Sequence, residues 1–439
     1  MKSKKRSLKV FMNGSLVGEL EKSNVGRLTF TYCQTWINSP GARPISLSLP
    51  LLEKAYSGDV VYYFFDNLLP DNSATRVRIQ KQFQVASPHP FDLLATIGKD
   101  CVGAIQLIEG DATPFKKEIR AYPLDEKEIA SVLRDIQRYP LGMSDQSRDF
   151  RISIAGAQEK TAFLRWKNKW YRPLGTTPTT HIFKLPIGYI QHQHMDLSDS
   201  CENEWLCSKI AAAFDLPIAA CELCYFENMK ALVVERFDRK LSNNQNWLMR
   251  LPQEDMCQAL SVASHLKYQS DGGPGIQRIM KLLCHSKDVD KDQNIFFRSQ
   301  ILFWLLAAID GHAKNFSIRI ETDGQYQLTP LYDIMSAYPL VTSKQLQAKK
   351  IKMAMALEAK NKHYHWDGVQ YRHFLQTAEN ANYSVEKAQS ALDDMLSKVD
   401  SVIQNVSKQL PKGFPERISQ PIFTGMLQFS KKLKKSSSH

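Results

Sequence analysis

The sequence predicts an α+β fold in which a β-rich N-terminal subdomain is followed by a mainly α-helical C-terminal lobe. Near the N-terminus, apolar residues alternate on either side of Asn13-Gly14, a pair that suits the positive φ angles of a two-residue hairpin turn. Towards the C-terminus, apolar residues recur with helical spacing over long segments, at 294–309 and 385–406. The order of these two patterns gives the predicted architecture.

Length and composition limit the class of protein. With 439 residues, of which 43% are hydrophobic, the chain can bury a large core and form several domains. It has no uncharged apolar segment of about 18 residues, and its first residues lack the apolar core of a secretory signal. We therefore expect a cytoplasmic protein without a membrane partner. The eight cysteines are scattered, and the close pair Cys221 and Cys224 lacks the second pair of a zinc ribbon, so we expect reduced thiols.

The formal charge of +12 is concentrated in part at the two ends of the chain, within residues 2–6 and 431–435. Such basic runs occur as solvated tails and as arms that bind nucleic acid. The charge alone is compatible with nucleic acid, a membrane surface or a phosphate-rich ligand as partner.

The N-terminal part is predicted to contain three strands followed by helices. The strands are 8–12, 15–20 and 27–32, and each shows alternation or turn residues at its ends. A helical stretch interrupted at Pro70 follows, and a further helix ends at Gly98, because glycine commonly terminates helices.

The strongest candidate for a catalytic site follows the apolar segment that ends at residue 309. Asp310 and Asn315 have the Asp-x4-Asn spacing of the protein-kinase catalytic loop. In a short loop between a helix and a strand, the carboxylate can point at a substrate hydroxyl while the amide oxygen faces Mg²⁺. The pair therefore predicts a site for phosphoryl transfer.

Asp333 supplies a second carboxylate. It stands directly after an apolar strand predicted in LTPLYDI, at a distance suited to the principal Mg²⁺ ligand. Aspartate also caps turns, and without Asp310 we would prefer that role for Asp333. Together the two carboxylates favour a kinase.

A turn of small residues is predicted between two strands further upstream. Its members, Ala155, Gly156 and Ala157, would let backbone N–H groups approach phosphates closely. The segment matches neither GxGxxG nor Walker A, although Lys160-Thr161 resembles the end of the latter, and a purely structural hairpin is the alternative. Ser153, at the mouth of this loop, carries a hydroxyl that could itself take a phosphate.

Lys184 lies among β-forming residues in TTHIFKLP, where a buried ammonium group requires an anionic partner. An ATP phosphate and a carboxylate on the following helix would supply that partner, as in the lysine–glutamate pair of kinases. Glu204 is our candidate for the carboxylate, Glu202 is its competitor, and either could be only a charge in the first helical turn.

The apolar strand ALVVERFDR reaches Glu235 and Phe237, and its backbone could read the adenine edge, although an ordinary core strand is the alternative. The roles then follow one another in the same order as in protein kinases: loop, lysine, helical glutamate, apolar strand, Asp-x4-Asn and aspartate. This order predicts a protein-kinase-like fold.

Over nearly its whole length the sequence also resembles the HipA family, the kinase toxins of bacterial HipA–HipB toxin–antitoxin modules. The N-terminal motifs that carry the resemblance are VGEL, ARPISLSLPL, FFDNLLPD and PFDLL. The later motifs are DFRISIAGAQEKTA, TPTTHIFKLPIG, VERFDR, RLPQEDMCQ, SDGGPGI, DGHAKNFS and LTPLYDI.

The resemblance implies an atypical, HipA-type kinase fold and a serine/threonine protein kinase that uses ATP and Mg²⁺. It implies that Asp310 is the catalytic base and that Asn315 and Asp333 hold magnesium. It further implies that Ser153 is autophosphorylated, which would expel the glycine-containing loop and silence the enzyme. The ATP contacts assigned on this basis are Ala155, Gly156, Ala157, Gln158, Lys160, Lys184, Glu204, Glu235, Phe237, His312 and Lys314.

The implied partners are a small helix-turn-helix antitoxin of the HipB type and the operator DNA that toxin and antitoxin bind together to repress their own operon. Basic patches beside such a DNA-binding dimer would neutralise phosphates. The implied substrate is a translation component, glutamyl-tRNA synthetase in the best-known members of the family.

Four segments are predicted along the chain. Charge, proline and weak periodicity place the main boundary between 110 and 145. The segments are a β-rich N-terminal subdomain, a connection with a helix, a nucleotide-binding lobe, and a helical catalytic lobe with a basic tail, at 1–110, 111–147, 148–245 and 246–439.

Two other functions fit part of the pattern. A DNA-binding corepressor with a degenerate kinase fold would have a damaged catalytic set, whereas the sequence retains Lys184, Asp310, Asn315 and Asp333. A small-molecule kinase could share the Asp-x4-Asn spacing, and its substrate pocket would be acidic.

Overall fold

The computed structural model describes residues 6–110, 117–136, 139, 141, 143, 152–156 and 158–436. These residues form two compact units, each built from three stretches of chain. Unit 1 takes its described residues from Met1–Leu185, Cys224–His265 and Ile318–Tyr326, and unit 2 takes them from Pro186–Leu223, Leu266–Ser317 and Gln327–His439.

The first sheet of unit 1 is antiparallel. Its strands are β1 (Arg6–Met12), β2 (Ser15–Lys22), β3 (Leu28–Tyr32), β4 (Tyr56–Ser57) and β5 (Ile105–Glu109). They pair in the order β4-β3-β2-β1-β5. Asn13 and Gly14 connect β1 to β2 with φ angles of 47° and 90°, so the predicted hairpin is confirmed.

Four helices accompany this sheet: α1 (Gln34–Ile37), α2 (Asp59–Asp66), α3 (Ser73–Gln82) and α4 (Pro90–Ile97). Pro70 separates α2 from α3, as predicted. After α4, Gly98 has a φ of −75°, so this glycine is not required for a left-handed turn. A Cβ atom at Gly98 would lie 3.0 Å from the Cβ of Leu107. Close packing of the end of α4 against β5 therefore requires glycine here.

The second sheet of unit 1 contains the strand that carries Lys184. Its strands are β6 (Ala121–Leu124), β7 (Lys160–Trp166), β8 (Lys169–Pro173), β9 (His181–Lys184), β12 (Cys221–Phe226, within unit 1 from Cys224) and β13 (Met229–Glu235). They lie in the order β12-β13-β9-β7-β8-β6. Helix α5 (Glu126–Asp135) begins with a capping box formed by Asp125 and Glu128. Its apolar face joins a core that includes the buried rings of Phe163 and Phe183.

The remaining short elements of unit 1 are β14 (Arg239–Leu241), β15 (Leu248–Arg250), β16 (Gln253–Asp255) and α7 (Met256–Ala259). Two further strands, β17 (Ser317–Ile320) and β18 (Tyr326–Leu328), form a sheet in the order β16-β17-β18. Strands β14 and β15 form an antiparallel hairpin.

A buried ionic cluster joins parts of unit 1 that are distant in sequence. The carboxylate of Asp100 accepts hydrogen bonds from Arg239 Nη2 at 2.9 Å and from Arg250 Nη2 at 3.0 Å. Asp100 also lies 3.4 Å from Arg236 Nη1. Asp238 is 2.8 Å from Arg236 and 2.9 Å from Arg239. None of the five side chains belongs to a residue more than 9% exposed.

The charge of Asp100 is fixed by its neighbours. Burial alone raises the pKa of the Asp100 carboxyl, but the guanidinium groups of Arg239, Arg250 and Arg236 outweigh burial and hold that pKa well below its usual range. Asp100 therefore remains ionised at neutral pH. Because three arginines face two aspartates, the cluster already carries an excess of positive charge.

Segment 46–48 of the N-terminal subdomain is held by the chain around β16. The backbone N–H of Leu47 donates to Glu254 Oε1 at 2.8 Å, and the Ser48 hydroxyl donates to the Gln258 carbonyl at 2.9 Å. Glu254 is completely buried. Burial raises the pKa of the Glu254 carboxyl to about 8.

Unit 2 is mainly helical. Its helices are α6 (Ser200–Ala213), α8 (Ile276–Leu283), α9 (Val289–Leu306), α10 (Tyr338–Thr342), α11 (Tyr371–Asn380), α12 (Val385–Ser407) and α13 (Glu416–Ser436). Two hairpins complete it, β10 (Gly188–Ile190) with β11 (Met195–Leu197), and β19 (Lys352–Glu358) with β20 (Lys362–His365). Helices α8, α12 and α13 pack against α9, whose residues Phe296, Phe297 and Trp304 are buried. In the described part of the chain, no helix has both the length and the apolar character needed to cross a membrane.

The predicted α+β class is confirmed, but two local predictions are wrong. Residues 152–155 do not form a strand, because Ser153 bonds to loops of the N-terminal subdomain and Gly156 forms an isolated bridge with Pro70. Within LTPLYDI, Leu331 forms only an isolated bridge with Ile218, so no strand leads directly to Asp333.

The predicted segments divide the chain differently from the two units. Residues 186–223, which the sequence places in the nucleotide-binding lobe, belong to unit 2, because α6 packs with α12 and α13. The boundary predicted between residues 147 and 148 lies outside the described residues.

Asp100→Asn is expected to lower the free energy of unfolding by about 3–5 kcal/mol, because the buried guanidinium groups would lose one of their two carboxylates. Urea denaturation of the full chain measures the change. The matched control is Asp400→Asn at an exposed position, which should cost less than about 0.5 kcal/mol. Equal losses in the two variants would contradict a specific role for the cluster.

Glu254→Gln is expected to change how stability depends on pH. The pKa of Glu254 is higher in the folded state than in the unfolded state, so its contribution is fully present below about pH 4.5 and is lost as the pH rises through about 8. Wild type should therefore lose a few kcal/mol relative to the variant between about pH 5 and pH 8.5. Urea denaturation at several pH values tests this, with Glu53→Gln, an exposed carboxyl, as control. Parallel curves for wild type and Glu254→Gln would show that Glu254 stays ionised in the folded protein.

Candidate active site

The loop after α9 presents a single carboxylate to solvent. Ala307 has a left-handed φ of 47°, which ends the helix and turns the chain. Asp310 is exposed, whereas residues 311–316 are all buried. A Cβ atom at Gly311 would collide with the ring of Phe303, so glycine is needed where the loop crosses α9. The loop is thus a packed support for one exposed acid.

Asn315 stabilises this loop through hydrogen bonds of its side chain. Its side-chain nitrogen donates to the Asp310 carbonyl at 2.8 Å and reaches the Asp333 carbonyl at 3.4 Å. Because the nitrogen is used in this way, the amide oxygen is the atom that Asn315 can offer to a cation. Asp310, Asn315 and Asp333 therefore lie close together.

Asp333 has a left-handed φ of 62°, which is rare for residues other than glycine and frequent at functional sites. The two residues that precede Asp333 are held by hydrogen bonds. The Leu331 N–H donates to the Pro217 carbonyl at 2.8 Å, and the Tyr332 hydroxyl donates to the Lys314 carbonyl at 2.9 Å. These bonds lock Asp333 beside the loop that carries Asp310.

The arrangement suits magnesium that arrives with a nucleotide. Among the described residues, no group of three or more His, Cys, Asp or Glu could hold a metal ion. Mg²⁺ in phosphoryl-transfer sites usually takes one or two carboxylates and completes its octahedral shell with phosphate oxygens and water. The amide oxygen of Asn315 and the carboxylate of Asp333 have the required chemistry.

Other members of the loop are also buried. His312 and Lys314 are 5% and 6% exposed, and the His312 ring meets the edge of Tyr268 with 5.1 Å between centroids. The Tyr268 hydroxyl donates to Asp310 Oδ1 at 2.5 Å. Tyr268 was not among the predicted site residues, although it stands just before the SDGGPGI motif.

Two lysines of unit 1 stand opposite each other. Lys160 on β7 pairs directly with Lys184 on β9, so both side chains leave the same face of the sheet. They are 5% and 7% exposed. A buried ammonium group requires polar or anionic partners. This part of the sheet is therefore suited to phosphates.

The glycine-containing loop lies beside Lys160. Lys160 Nζ donates to the Ala155 carbonyl at 2.8 Å. Gly156 has a φ of 104°, and a Cβ atom there would meet the Lys160 ammonium group. The backbone conformation therefore favours glycine, and a side chain at this position would displace the Lys160 ammonium group.

Ser153 is completely buried. Its hydroxyl donates to the Leu68 carbonyl at 2.7 Å, and its N–H donates to the Asp100 carbonyl at 2.9 Å. Nearby, the Asp71 N–H donates to the Gly156 carbonyl at 3.2 Å. The loop is thus docked onto the N-terminal subdomain, with the predicted phosphate acceptor facing inwards.

The remaining predicted ATP contacts of unit 1 are dispersed around these lysines. Gln158 Nε2 donates to the Leu185 carbonyl at 2.6 Å. Glu235 ends β13 and is exposed, and Phe237 is half-buried. Ala157 lies outside the described residues.

The neighbours of Glu235 and Phe237 have a role that was not predicted. Arg236, Asp238 and Arg239 all enter the ionic cluster with Asp100. The sequence pattern that could have predicted this cluster is the run of charged residues directly after an apolar strand. Charged side chains in such a position need charged partners if they are buried.

Glu202 and Glu204 both lie on α6 and are 4% and 3% exposed. Residues two positions apart on a helix point in different directions, so only one of them can face a given lysine. The assignment of Glu204 as partner of Lys184 stays a prediction.

The predicted site residues thus fall into two groups. Unit 2 brings together Asp310, His312, Lys314, Asn315 and Asp333. Unit 1 brings together Ser153, Ala155, Gly156, Lys160 and Lys184.

Two stretches of the chain match domains of a known protein family. Residues 8–108 match the HipA N-terminal domain, and residues 152–403 match the HipA-like C-terminal domain. The chain belongs to the HipA family. The second HipA match covers more than half of the chain and contains every predicted site residue.

Two similar proteins are named as kinases. Y4mE of Sinorhizobium fredii, named as a kinase, is 32% identical over 346 residues, which cover 77% of this chain and 80% of that protein. The serine/threonine-protein kinase toxin HipA of Shewanella oneidensis is 25% identical over 346 residues, 76% of each protein.

A solved HipA structure has the same fold. The HipA chain from a complex of Shewanella oneidensis HipA, HipB and operator DNA superposes with a TM-score of 0.80 and 21% sequence identity, over 98% of this chain and 97% of that one. The predicted HipA-type fold, with a β-rich N-terminal region and a helical C-terminal part, is confirmed.

Proposed function

We propose that this protein is a serine/threonine protein kinase toxin that transfers the γ-phosphate of ATP to a protein hydroxyl. The observation that carries the proposal is the exposed carboxylate of Asp310, held on a buried loop by Asn315, which also contacts the backbone of Asp333. A solvent-facing acid beside two oxygen ligands for magnesium is the arrangement that phosphoryl transfer requires.

In the proposed reaction, Asp310 accepts the proton of a serine or threonine hydroxyl. That oxygen forms a bond to the γ-phosphorus while the bond to ADP breaks. Lys160 and Lys184 contact the phosphates, and the backbone at Gly156 lies against them. Asn315 and Asp333 hold Mg²⁺, which neutralises phosphate charge when bound.

The remaining predicted ATP contacts keep their proposed roles. Glu235 and Phe237 line the adenine side, and Glu204 pairs with Lys184. Ala155, Ala157, Gln158, His312 and Lys314 complete the set.

The proposed substrate is a translation component, glutamyl-tRNA synthetase by resemblance to the HipA family. A degenerate corepressor is disfavoured, because the residues of a working kinase are present and those of unit 2 are hydrogen-bonded together. A small-molecule kinase would differ by phosphorylating no protein in cells. Phosphoproteomics of cells expressing wild type or Asp310→Gln distinguishes these functions and names the substrate.

We also propose that Ser153 is phosphorylated by the enzyme itself. Because the hydroxyl is buried against the Leu68 carbonyl, segment 152–156 must leave its docked position first. A phosphate on Ser153 would place two negative charges beside that carbonyl oxygen. The modified loop could not return, and the phosphate site would be disassembled.

With Mg²⁺ and labelled ATP, the purified protein is expected to incorporate label at Ser153. Asp310→Asn should slow incorporation by roughly 10²–10⁴-fold, because the proton acceptor is lost, and Ser153→Ala should abolish it. Initial rates and mass spectrometry of the labelled peptide measure both effects. Asp310→Asn at the wild-type rate would overturn the mechanism, whereas full labelling of Ser153→Ala would overturn only the choice of acceptor.

The second part of the proposed function is repression of the toxin–antitoxin operon together with a HipB-type helix-turn-helix antitoxin. The solved HipA relative was crystallised with HipB and operator DNA. In the cell, this complex would place the protein on the nucleoid.

A basic cluster on unit 2 supports DNA binding. The N–H of Trp366 donates to the Ile351 carbonyl at 3.1 Å, and its ring stacks on Phe429 at 5.2 Å. Lys432 donates to the Asp367 carbonyl. These contacts place the chain at Ile351 and the last turns of α13 next to the segment that contains Trp366. The exposed members of the basic cluster are Lys349, Lys350, Lys352, Lys432, Lys434 and Lys435.

Charge reversal at Lys434 and Lys435 is expected to weaken binding of duplex DNA by the toxin–antitoxin complex and to reduce its salt dependence. Each lost phosphate contact should lower the slope of log K against log salt by about 1. Fluorescence anisotropy at several salt concentrations measures both quantities. The double variant Lys408→Glu/Lys412→Glu, between α12 and α13, changes the charge equally at other exposed positions. Equal effects of the two double variants would exclude a specific DNA surface at the basic cluster.

A further inference from the structure

Tyr268 belongs to a short segment that is fixed on two sides within unit 2. The Lys267 carbonyl accepts the N–H of Ala313, in the loop that carries Asp310, at 3.2 Å. On the other side, Gln269 Oε1 accepts the N–H of Ala356 in β19 at 2.7 Å. The residues before and after Tyr268 are therefore both tied to neighbouring elements.

The glycines of SDGGPGI complete this support. A Cβ atom at Gly273 would meet the backbone carbonyls of Leu266 and Tyr268, and one at Gly275 would meet the side chain of Gln269. The Gly273 N–H donates to the Tyr268 carbonyl at 2.9 Å. The glycine-rich motif thus packs directly beneath Tyr268 and restricts its backbone.

The Tyr268 side chain joins this fixed segment to Asp310. Its ring meets the His312 ring edge-on, with an interplanar angle of 81°. Its hydroxyl donates to Asp310 Oδ1 at 2.5 Å. Asp310 is exposed and Tyr268 is half-buried, so the tyrosine supplies a partner to a carboxylate that otherwise faces solvent.

We propose that Tyr268 is a positioning residue for the catalytic carboxylate, an inference that rests on the proposed kinase function. An exposed aspartate side chain rotates freely, and misplacement of a base by about 1 Å can cost roughly 10²-fold in rate. A donor on Oδ1 fixes the plane of the carboxylate and leaves Oδ2 to accept the proton of the substrate hydroxyl. The two anchors and the packing on His312 make Tyr268 a fixed support and not a mobile cap.

The test is Tyr268→Phe in the full-length protein. This change removes only the hydroxyl and keeps the ring on His312. We expect the rate of label transfer from saturating ATP to fall by roughly 10- to 100-fold, with the KM for ATP unchanged. In the Asp310→Asn background the same change should have no further effect, because both residues act through one carboxylate.

Tyr371→Phe is the matched control, because the Tyr371 hydroxyl also donates to a carboxylate of unit 2, Asp393 Oδ1, at 2.7 Å. It should keep the wild-type rate, and thermal denaturation should show that both tyrosine variants are folded. An active wild type with an equal or faster Tyr268→Phe variant would overturn the positioning role and indicate a displaceable cap. Additive losses in the double variant would overturn it in favour of a purely structural role. A wild type without any transfer would instead overturn the proposed kinase function, and this inference with it.

Discussion

Unit 1 depends on the buried carboxylate of Asp100. Its side chain forms ion pairs with Arg236, Arg239 and Arg250, while its backbone carbonyl accepts a hydrogen bond from the N–H of Ser153. One residue therefore holds both the chain that leaves β13 and the loop before β7. Burial of so many charges is tolerated only when each has a partner, and removal of one partner costs more than the pair contributes. The chain after β13 and the glycine-containing loop consequently share one support.

In unit 2, hydrogen bonds to backbone carbonyls and to the carboxylate hold the loop that carries Asp310. Asn315 and the Tyr332 hydroxyl bind backbone carbonyls, and Tyr268 binds the carboxylate itself. The backbone of Asp333 is thereby held in a conformation that few residues other than glycine adopt. Asp310 is thus exposed to a substrate while residues 311–316 of the same loop are buried.

Local patterns predicted much of this molecule. The Asn13-Gly14 hairpin, the strand that carries Lys184 and the Asp-x4-Asn loop were all predicted from residues close together in sequence. The missed features join distant residues: Asp100 and Arg250 are separated by 150 positions, Ser153 and Leu68 by 85, and Tyr268 and Asp310 by 42. The spacing of apolar residues, which predicts helices and strands, gives no information about such distant pairs. The strand expected before Gly156 failed for the same reason, because its bonding partners lie in another subdomain.

The burial of the Ser153 hydroxyl limits how fast this group can react. A group without solvent exposure reacts only in the fraction of molecules whose segment has opened, and that fraction depends on the local free energy of opening. Under the proposed autophosphorylation, the contacts that Leu68 and Asp71 make with the loop would determine how long each molecule remains active. Stronger contacts would then lengthen the active period of each molecule, and weaker contacts would shorten it.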